Sequence, residues 1–313
     1  MRCFTMISSA ASLAMTDNPD EVDLDGTVTW RELLAETEAL LARCDADSPK
    51  LEAKWIVEEV TGATGAEFAV ALDGLATTRG VAHLDALVGR RCSGEPIQYV
   101  LGHWAFRSID LLVDRRVLIP RPETEVVAGL AIAELDRFRP DGGGLVVDLG
   151  TGTGAIGLSI ASERPGHRVL LTDASADALA VARANLVGLG RAARGVEISE
   201  GSWFDAVPDQ YLGQFDVIVS NPPYIAASEE LPASVTDWEP EAALRSDDDG
   251  LADLRFLVEQ ASEWLAPTGA LVLEIGHRQA TDLARSSEAL GYETVVHCDL
   301  AGLDRALVFR RAK

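Results

Sequence analysis

The sequence predicts an α/β fold: a mixed, mostly parallel sheet of seven strands with helices on both faces, preceded by a small helical domain and a linking β-hairpin. Three observations carry this expectation. From Leu145 onward, short apolar runs alternate with helical patterns, as in the strand–helix units that build a parallel sheet. The first run leads into Asp148-Leu149-Gly150-Thr151-Gly152-Thr153-Gly154. The fourth, Phe215 to Ser220, ends in Asn221-Pro222-Pro223-Tyr224. Two prolines at a strand end cannot extend a ladder or fill a helix, so they fix a stiff loop. Open α/β sheets bind ligands at that carboxyl edge.

Taken in order, residues 1–28 carry acids and turn formers without a packing pattern and read as a poorly ordered leader. Met1 to Met15 has no continuous apolar core, so no signal peptide is expected. Organisation begins at Thr29, which with Glu32 forms a capping-box pair. Leu33, Leu34, Thr37, Leu40 and Leu41 then give one helical face. Ser48-Pro49 opens a second helix that Gly62 ends, and shorter helices follow over 65–71 and 78–91. Residues 29–94 therefore form the helical domain. The aromatic and β-branched segment 95–120 reads as a linking hairpin, from Glu95-Pro96-Ile97-Gln98-Tyr99 through Trp104, Phe106 and Val113. Pro120-Arg121-Pro122 is a constrained loop, and a helix runs from Glu123 to about Leu135.

The large domain covers 121–313, with its sheet starting at Leu145. Strands are expected at 145–149, 168–172, 195–199, 215–220, 270–275, 293–298 and 305–310. Helices are expected near 154–163, 175–187, 248–265 and 277–289. The last two strands leave no room for a crossover helix, so they should be antiparallel.

The net charge of −23, from 50 acidic and 27 basic residues, opposes nonspecific binding to nucleic acid. No apolar stretch is long enough to span a bilayer. Cys3, Cys44, Cys92 and Cys298 match neither a metal spacing nor a disulfide framework, and are expected as free thiols of a cytoplasmic chain. The five histidines are scattered, and no metal site is expected.

A short glycine loop alone is compatible with NAD, with S-adenosylmethionine or with packing. Asp148 favours the methyl donor, since its charge would repel a pyrophosphate and suit a methionine ammonium. Asp173 ends the second strand, where a carboxylate can accept from ribose hydroxyls, although NAD uses an acid there as well. As a structural alternative, Asp173 or Ser175 caps the next helix. Ser202, Trp203 and Phe204 follow the third strand, and the two aromatic rings suit either an adenine or the core. Asn221 offers a carbonyl acceptor and Pro222 a backbone acceptor. Together they can hold an NH2 group so that its electron density faces an electrophilic methyl, while Tyr224 stacks on a planar group.

Asp148 to Gly154 with Asn221 to Tyr224 resembles a class I S-adenosylmethionine-dependent (Rossmann-like) methyltransferase acting on planar nitrogen. Glu95 to Tyr99, Gly102 to Phe106, Ile119 to Glu125, Trp238-Glu239-Pro240 and Glu274-Ile275-Gly276 narrow this. Over residues 29–310 the chain resembles the release factor glutamine methyltransferase family. That resemblance implies methyl transfer to the N5 amide of the glutamine in the Gly-Gly-Gln motif of class I release factors, yielding S-adenosylhomocysteine. It implies that Asn221 and Pro222 orient the amide, that Pro223 and Tyr224 complete the loop, and that Phe106 and Tyr224 flank the side chain. Arg121 and Glu123 would shape the entrance. Asp148, Gly150, Thr151, Gly152, Thr153, Gly154, Asp173, Ser202, Trp203, Phe204 and Asn221 would hold the cofactor, with no metal. The helical domain would contribute to release factor binding by a monomer. Two departures stand out: Ser202 where the family often has an acid, which leaves the adenine contact either weaker or supplied by Asp205, and Arg245 to Gly250 in place of a glycine-rich lead. Adenine N6 methylation of nucleic acid shares the loop chemistry. It is opposed by the acidic balance and by the lack of a basic groove or target-recognition domain in the sequence.

Overall fold

A computed structural model describes residues 28–44 and 46–312. The expected leader lies outside the described residues except for Val28. Contacts divide the chain into two compact units, which meet in sequence between Gly89 and Arg90.

The first unit is helical. Helix α1 (Trp30–Arg43) opens with the expected capping box: Glu32 N donates to Thr29 Oγ1 at 3.3 Å, and Thr29 N donates to Glu32 Oε2 at 2.8 Å. Such a cap contributes about 1 kcal/mol. Pro49 is the first residue of α2 (Pro49–Thr61), and Gly62 closes it in the left-handed region at φ 66°. Helices α3 (Gly65–Ala71) and α4 (Thr78–Cys92) follow. Trp30, Leu33, Leu41, Ile56, Val57, Phe68 and Leu84 are buried.

The second unit starts within the last turn of α4. Ile97–Leu101 is a short helix, α5, rather than the first strand of the hairpin expected over 95–120. Pro96 is its N-cap, Ile97, Tyr99 and Val100 are buried, and Gly102 ends it at φ 81°. A β-branched and aromatic run this short does not distinguish helix from strand. The hairpin is β1 (His103–Phe106) with β2 (Ile109–Leu112), and Phe106 pairs with Ile109.

After α6 (Thr124–Phe138) come β3 (Leu145–Leu149), α7 (Ala155–Glu163), β4 (Arg168–Asp173), α8 (Ala176–Leu189), β5 (Val196–Glu200) and β6 (Phe215–Ser220). A two-residue pair follows, β7 (Ile225–Ala226) with β8 (Arg245–Ser246), enclosing the short α9 (Ala233–Thr236). The turn α10 (Asp247–Gly250), α11 (Ala252–Trp264), β9 (Leu265–Glu274), α12 (Ala280–Ala289), β10 (Tyr292–Cys298) and β11 (Asp304–Arg311) complete the unit. The sheet has the order β10-β11-β9-β6-β3-β4-β5. Strands β3 to β6 and β9 pair in parallel, while β11 is antiparallel to both β9 and β10, as expected for a mixed sheet.

Both faces are covered, which explains the near-continuous apolar strands. Val146, Val217, Val219 and Val272 pack with α6 and α7 residues such as Val127, Leu135 and Leu158. Val147, Leu149, Ile218 and Leu271 pack on the other face with Leu254 and Leu257 of α11 and Leu283 of α12. From β3 the chain steps outward to β4 and β5, then returns to β6 on the opposite side of β3. The carboxyl ends of β3 and β6 thus meet at the switch point of the sheet.

Cys298 is a free thiol, whereas Cys44 and Cys92 are disulfide-bonded, against the expectation of free thiols throughout. The spacing of cysteines alone does not show which of them form disulfides.

Candidate active site

The loop after β3 is built around Asp148. Its Oδ2 accepts from Thr151 Oγ1 at 2.6 Å and from Gly157 N at 2.9 Å. Its Oδ1 is buried with no hydrogen-bond partner. Burial pushes the acid up to about 6; the Thr151 and Gly157 hydrogen bonds oppose this and the charge of Asp173 adds to it. Gly150, Gly152 and Gly154 have φ of 70°, 54° and 87°. Gly157 is required by space, because a Cβ there would stand 2.2 Å from Leu171 Cδ2.

Asp173 ends β4. Its Oδ2 accepts from Gly152 N and its Oδ1 from Ser175 N, both at 2.9 Å. Ser175, not Asp173, caps α8 by accepting from Ala178 N. Asp173 is therefore left at the cavity wall rather than spent on the helix.

A cavity of about 470 Å³ lies over these loops. Of the residues expected at the cofactor, Asp148, Gly150, Thr151, Gly152, Thr153, Asp173, Ser202, Trp203 and Asn221 line it. Gly154 instead caps α7. The Trp203-Phe204 pair divides. Trp203 sits at φ 46° against the Gly150 backbone, and its Nε1 donates to Asp253 Oδ1 at 3.1 Å. Phe204 turns into the core and stacks on Trp264 with ring centroids 5.5 Å apart, which corrects the expectation that it covers a ligand.

At the end of β6, Ser220 Oγ donates to the Leu149 carbonyl at 2.6 Å and ties β6 to β3. Asn221 Nδ2 donates to Thr124 Oγ1 at 3.3 Å, and both residues line the cavity with Pro223. Pro222 is buried. Tyr224 is half-buried and its hydroxyl donates to Glu274 Oε1 at 3.2 Å. Burial and the Glu274 charge raise the tyrosine well above its ordinary value. Glu274, at the end of β9, is buried, and its Oε2 has no hydrogen-bond partner. Burial pushes this acid up to about 7, opposed by the Thr124 hydroxyl, Arg305 and Tyr224.

Other expected residues lie elsewhere. Phe106 is 1% exposed and packs in the core with Ile109 and Leu111, so its ring does not border the cavity as expected. An aromatic residue on a hairpin reads the same way in a core as in a pocket. Arg121 pairs with buried Glu239 at 2.5 Å, and Glu239 also accepts from Ile119 N at 3.0 Å. This pins the loop before α6, with Glu123 as the N-cap residue. Four further residues brace these loops without a role read from the sequence: Thr124 and Glu274, which stood only as parts of motifs, and Asp253 and Gln279. Glu274 left a usable signal, an acid ending the apolar run Leu271-Val272-Leu273.

A glycine loop after the first parallel strand, an acid ending the second and Asn-Pro-Pro-Tyr after the fourth define a class I methyltransferase. Family profiles agree: "Methyltransferase small domain" matches residues 132–243 and "PrmC N-terminal domain" matches residues 32–102. The chain is 35% identical over 291 residues to the release factor glutamine methyltransferase of Agrobacterium fabrum, covering 92% of this chain and 98% of that one. It is 40% identical over 264 residues to that of Salmonella typhimurium, covering 83% and 92%. A crystal structure of the release factor-specific protein-(glutamine-N5) methyltransferase from Alicyclobacillus acidocaldarius is 30% identical, with 62% and 95% coverage and a TM-score of 0.38. The chain belongs to the release factor glutamine methyltransferase family.

Proposed function

We propose that this enzyme transfers a methyl group from S-adenosylmethionine to the side-chain N5 amide of the glutamine in the Gly-Gly-Gln motif of class I peptide chain release factors. The observation that carries the reading is the state of Asn221. Its NH2 is engaged by Thr124 while its side chain lines the glycine-loop cavity, which leaves the carbonyl oxygen as an acceptor for an incoming amide.

The donor set fits the cofactor. The unpartnered Asp148 Oδ1 and the glycine loop suit its cationic methionine end. Asp173 suits the ribose hydroxyls, and the Trp203 indole with Ser202 suits the adenine. When bound, the cofactor supplies an electrophilic methyl on a positively charged sulfur. The chain's own task is alignment. An amide nitrogen is a weak nucleophile because its lone pair is delocalised into the carbonyl. Two acceptors, Asn221 Oδ1 and the Pro222 carbonyl, can hold both its hydrogens and turn the lone pair toward the methyl. Held in this way, the amide nitrogen would gain the methyl carbon and give up one N–H proton to water, the C–S electrons being left on sulfur. Tyr224 would border the glutamine side chain, while the Arg121–Glu239 pair would hold the loop that leads to Thr124.

Residues 29–94 would contribute to release factor recognition, with 121–313 carrying the chemistry of a cytoplasmic monomer. No helix among the described residues is long and apolar enough to cross a membrane. Tritiated methyl groups should enter a class I release factor but not its Gln-to-Ala variant at Gly-Gly-Gln. Equal labelling of both would overturn the assignment.

A further inference from the structure

The buried acid beneath the Asn-Pro-Pro-Tyr loop is not accounted for by cofactor binding. Glu274 ends β9, the strand beside β6, and is not part of the cavity wall. A carboxyl buried this deeply, with one oxygen unpartnered, is costly for the fold. Its neighbours are Tyr224, whose hydroxyl donates to Oε1 at 3.2 Å, and the Thr124 hydroxyl. Both lead to the substrate side: Tyr224 belongs to the loop itself, and Thr124 accepts from Asn221 Nδ2 at 3.3 Å.

We propose that Glu274 is a positioning residue for methyl transfer: as a carboxylate acceptor it sets the direction of the hydrogen bonds through Thr124 and Tyr224, and so keeps the Asn221 carbonyl oxygen turned to the substrate amide. The inference rests on the proposed role of Asn221 and extends it. An Asn side chain has two orientations that exchange oxygen and nitrogen, and only one presents the acceptor. The Thr124 oxygen accepts from Asn221 at 3.3 Å, so its own proton points elsewhere, and the Glu274 carboxylate, on whose charge that hydroxyl acts, is the nearby acceptor. A protonated Glu274 competes as a donor to Thr124. The threonine proton is then free to turn to Asn221 Oδ1, the wrong orientation for catalysis.

The ionisation of this acid is set from several elements. Glu123 at the start of α6 disfavours the charged form, while Arg305 on β11 favours it; Tyr224 faces it from the loop, and Arg121 acts on Tyr224. Burial dominates, and the group titrates near neutrality. Its carboxylate fraction therefore rises with pH across the range in which the enzyme is assayed.

Initial rates of methyl transfer to a class I release factor should be followed from pH 6 to 9 for the wild type, Glu274→Gln, Thr124→Val and Thr124→Ser. The wild-type kcat should fall as pH drops below about 7, approaching about tenfold per unit. Glu274→Gln should lower kcat at pH 8 by about ten- to a hundredfold, flatten that limb and leave the KM for S-adenosylmethionine within about twofold. Thr124→Val should behave alike, and Thr124→Ser should recover most of the loss. Melting curves check the fold independently of activity. Because the folded acid is raised from 4.5 to about 7, the wild type loses stability as pH rises through that window. Glu274→Gln should therefore melt higher than the wild type at pH 8, and the gap should close below about pH 4.5. A folded Glu274→Gln with wild-type kcat and an intact pH limb overturns the proposal, as does a Thr124→Val that keeps full rate. A wild-type chain that leaves the release factor unlabelled overturns the function on which the proposal rests, and the proposal with it.

Discussion

Asp148 divides its two oxygens between the loop and the cavity side of the fold. Its Oδ2 is spent on Thr151 and Gly157, which shapes the loop, while its Oδ1 remains buried and unpaired. Burial without a counter-charge raises its pKa to about 6, and a cationic ligand would restore the carboxylate. Affinity for S-adenosylmethionine should therefore weaken as pH falls below about 6, approaching about tenfold per unit. Calorimetric titrations between pH 5 and 8 would check this, and Asp148→Asn should bind weakly with no such slope. A wild-type affinity flat across that range would remove Asp148 from the cofactor site. Asp148 was legible because a strand, an acid and glycines are adjacent in sequence. Glu274 and Asp253 were not assigned, since their partners Tyr224 and Trp203 each lie 50 residues away and only the sheet order brings them together. Phe106 and Phe204 were misread because an aromatic residue beside a loop carries no mark of which way its ring turns.

At the scale of elements, the Asn-Pro-Pro-Tyr loop is held from behind by a clasp. Gln279 Nε2 donates to the carbonyls of Tyr224 and Gly250 at 3.0 and 3.1 Å, and its Oε1 accepts from Gly276 N at 2.9 Å. Gly250 has φ 83°, and a Cβ there would stand 2.2 Å from the Tyr224 carbonyl oxygen, a backbone atom that cannot swing aside. Gly250→Ala should therefore cost about 1–3 kcal/mol of stability and displace the loop, lowering kcat more than cofactor affinity. Urea unfolding and the methyl-transfer assay would measure both; a fully active, fully stable variant would show that the clasp does not set the loop. The strands themselves were readable to within a residue or two at most ends, because burial on both faces leaves unbroken apolar runs such as Phe215 to Ser220. The N-terminal end of β9 was not, since Leu265 to Gly269 contains a proline and a glycine that read as a loop. Nor was α5, whose apolar residues fit either period over so short a span.

At the scale of the molecule, alternation of strands and helices was enough to predict the sheet and its antiparallel edge, while the switch point came only from the strand order. Chain order determines which strand ends meet. Every residue lining the cavity, from Arg116 to Asp253, belongs to the Arg90–Lys313 unit. Ligand energy at that cavity should therefore reach the helical unit only as far as the two are coupled in folding. S-adenosylhomocysteine at about a hundred times its Kd should stabilise the larger unit by about 2.7 kcal/mol. Hydrogen exchange should report that gain as slower exchange at the amides of Gly150 to Gly154, Asp173 and Asn221, and across β3 and β6 whose ends they extend. Amides of α1 to α3 should exchange at unchanged rates, because none of their residues borders the ligand. Equal slowing in α1 to α3 would mean that the whole chain opens as one cooperative unit. Slowing confined to α1 to α3, with β3 and β6 unaffected, would place the cofactor away from the glycine loop altogether.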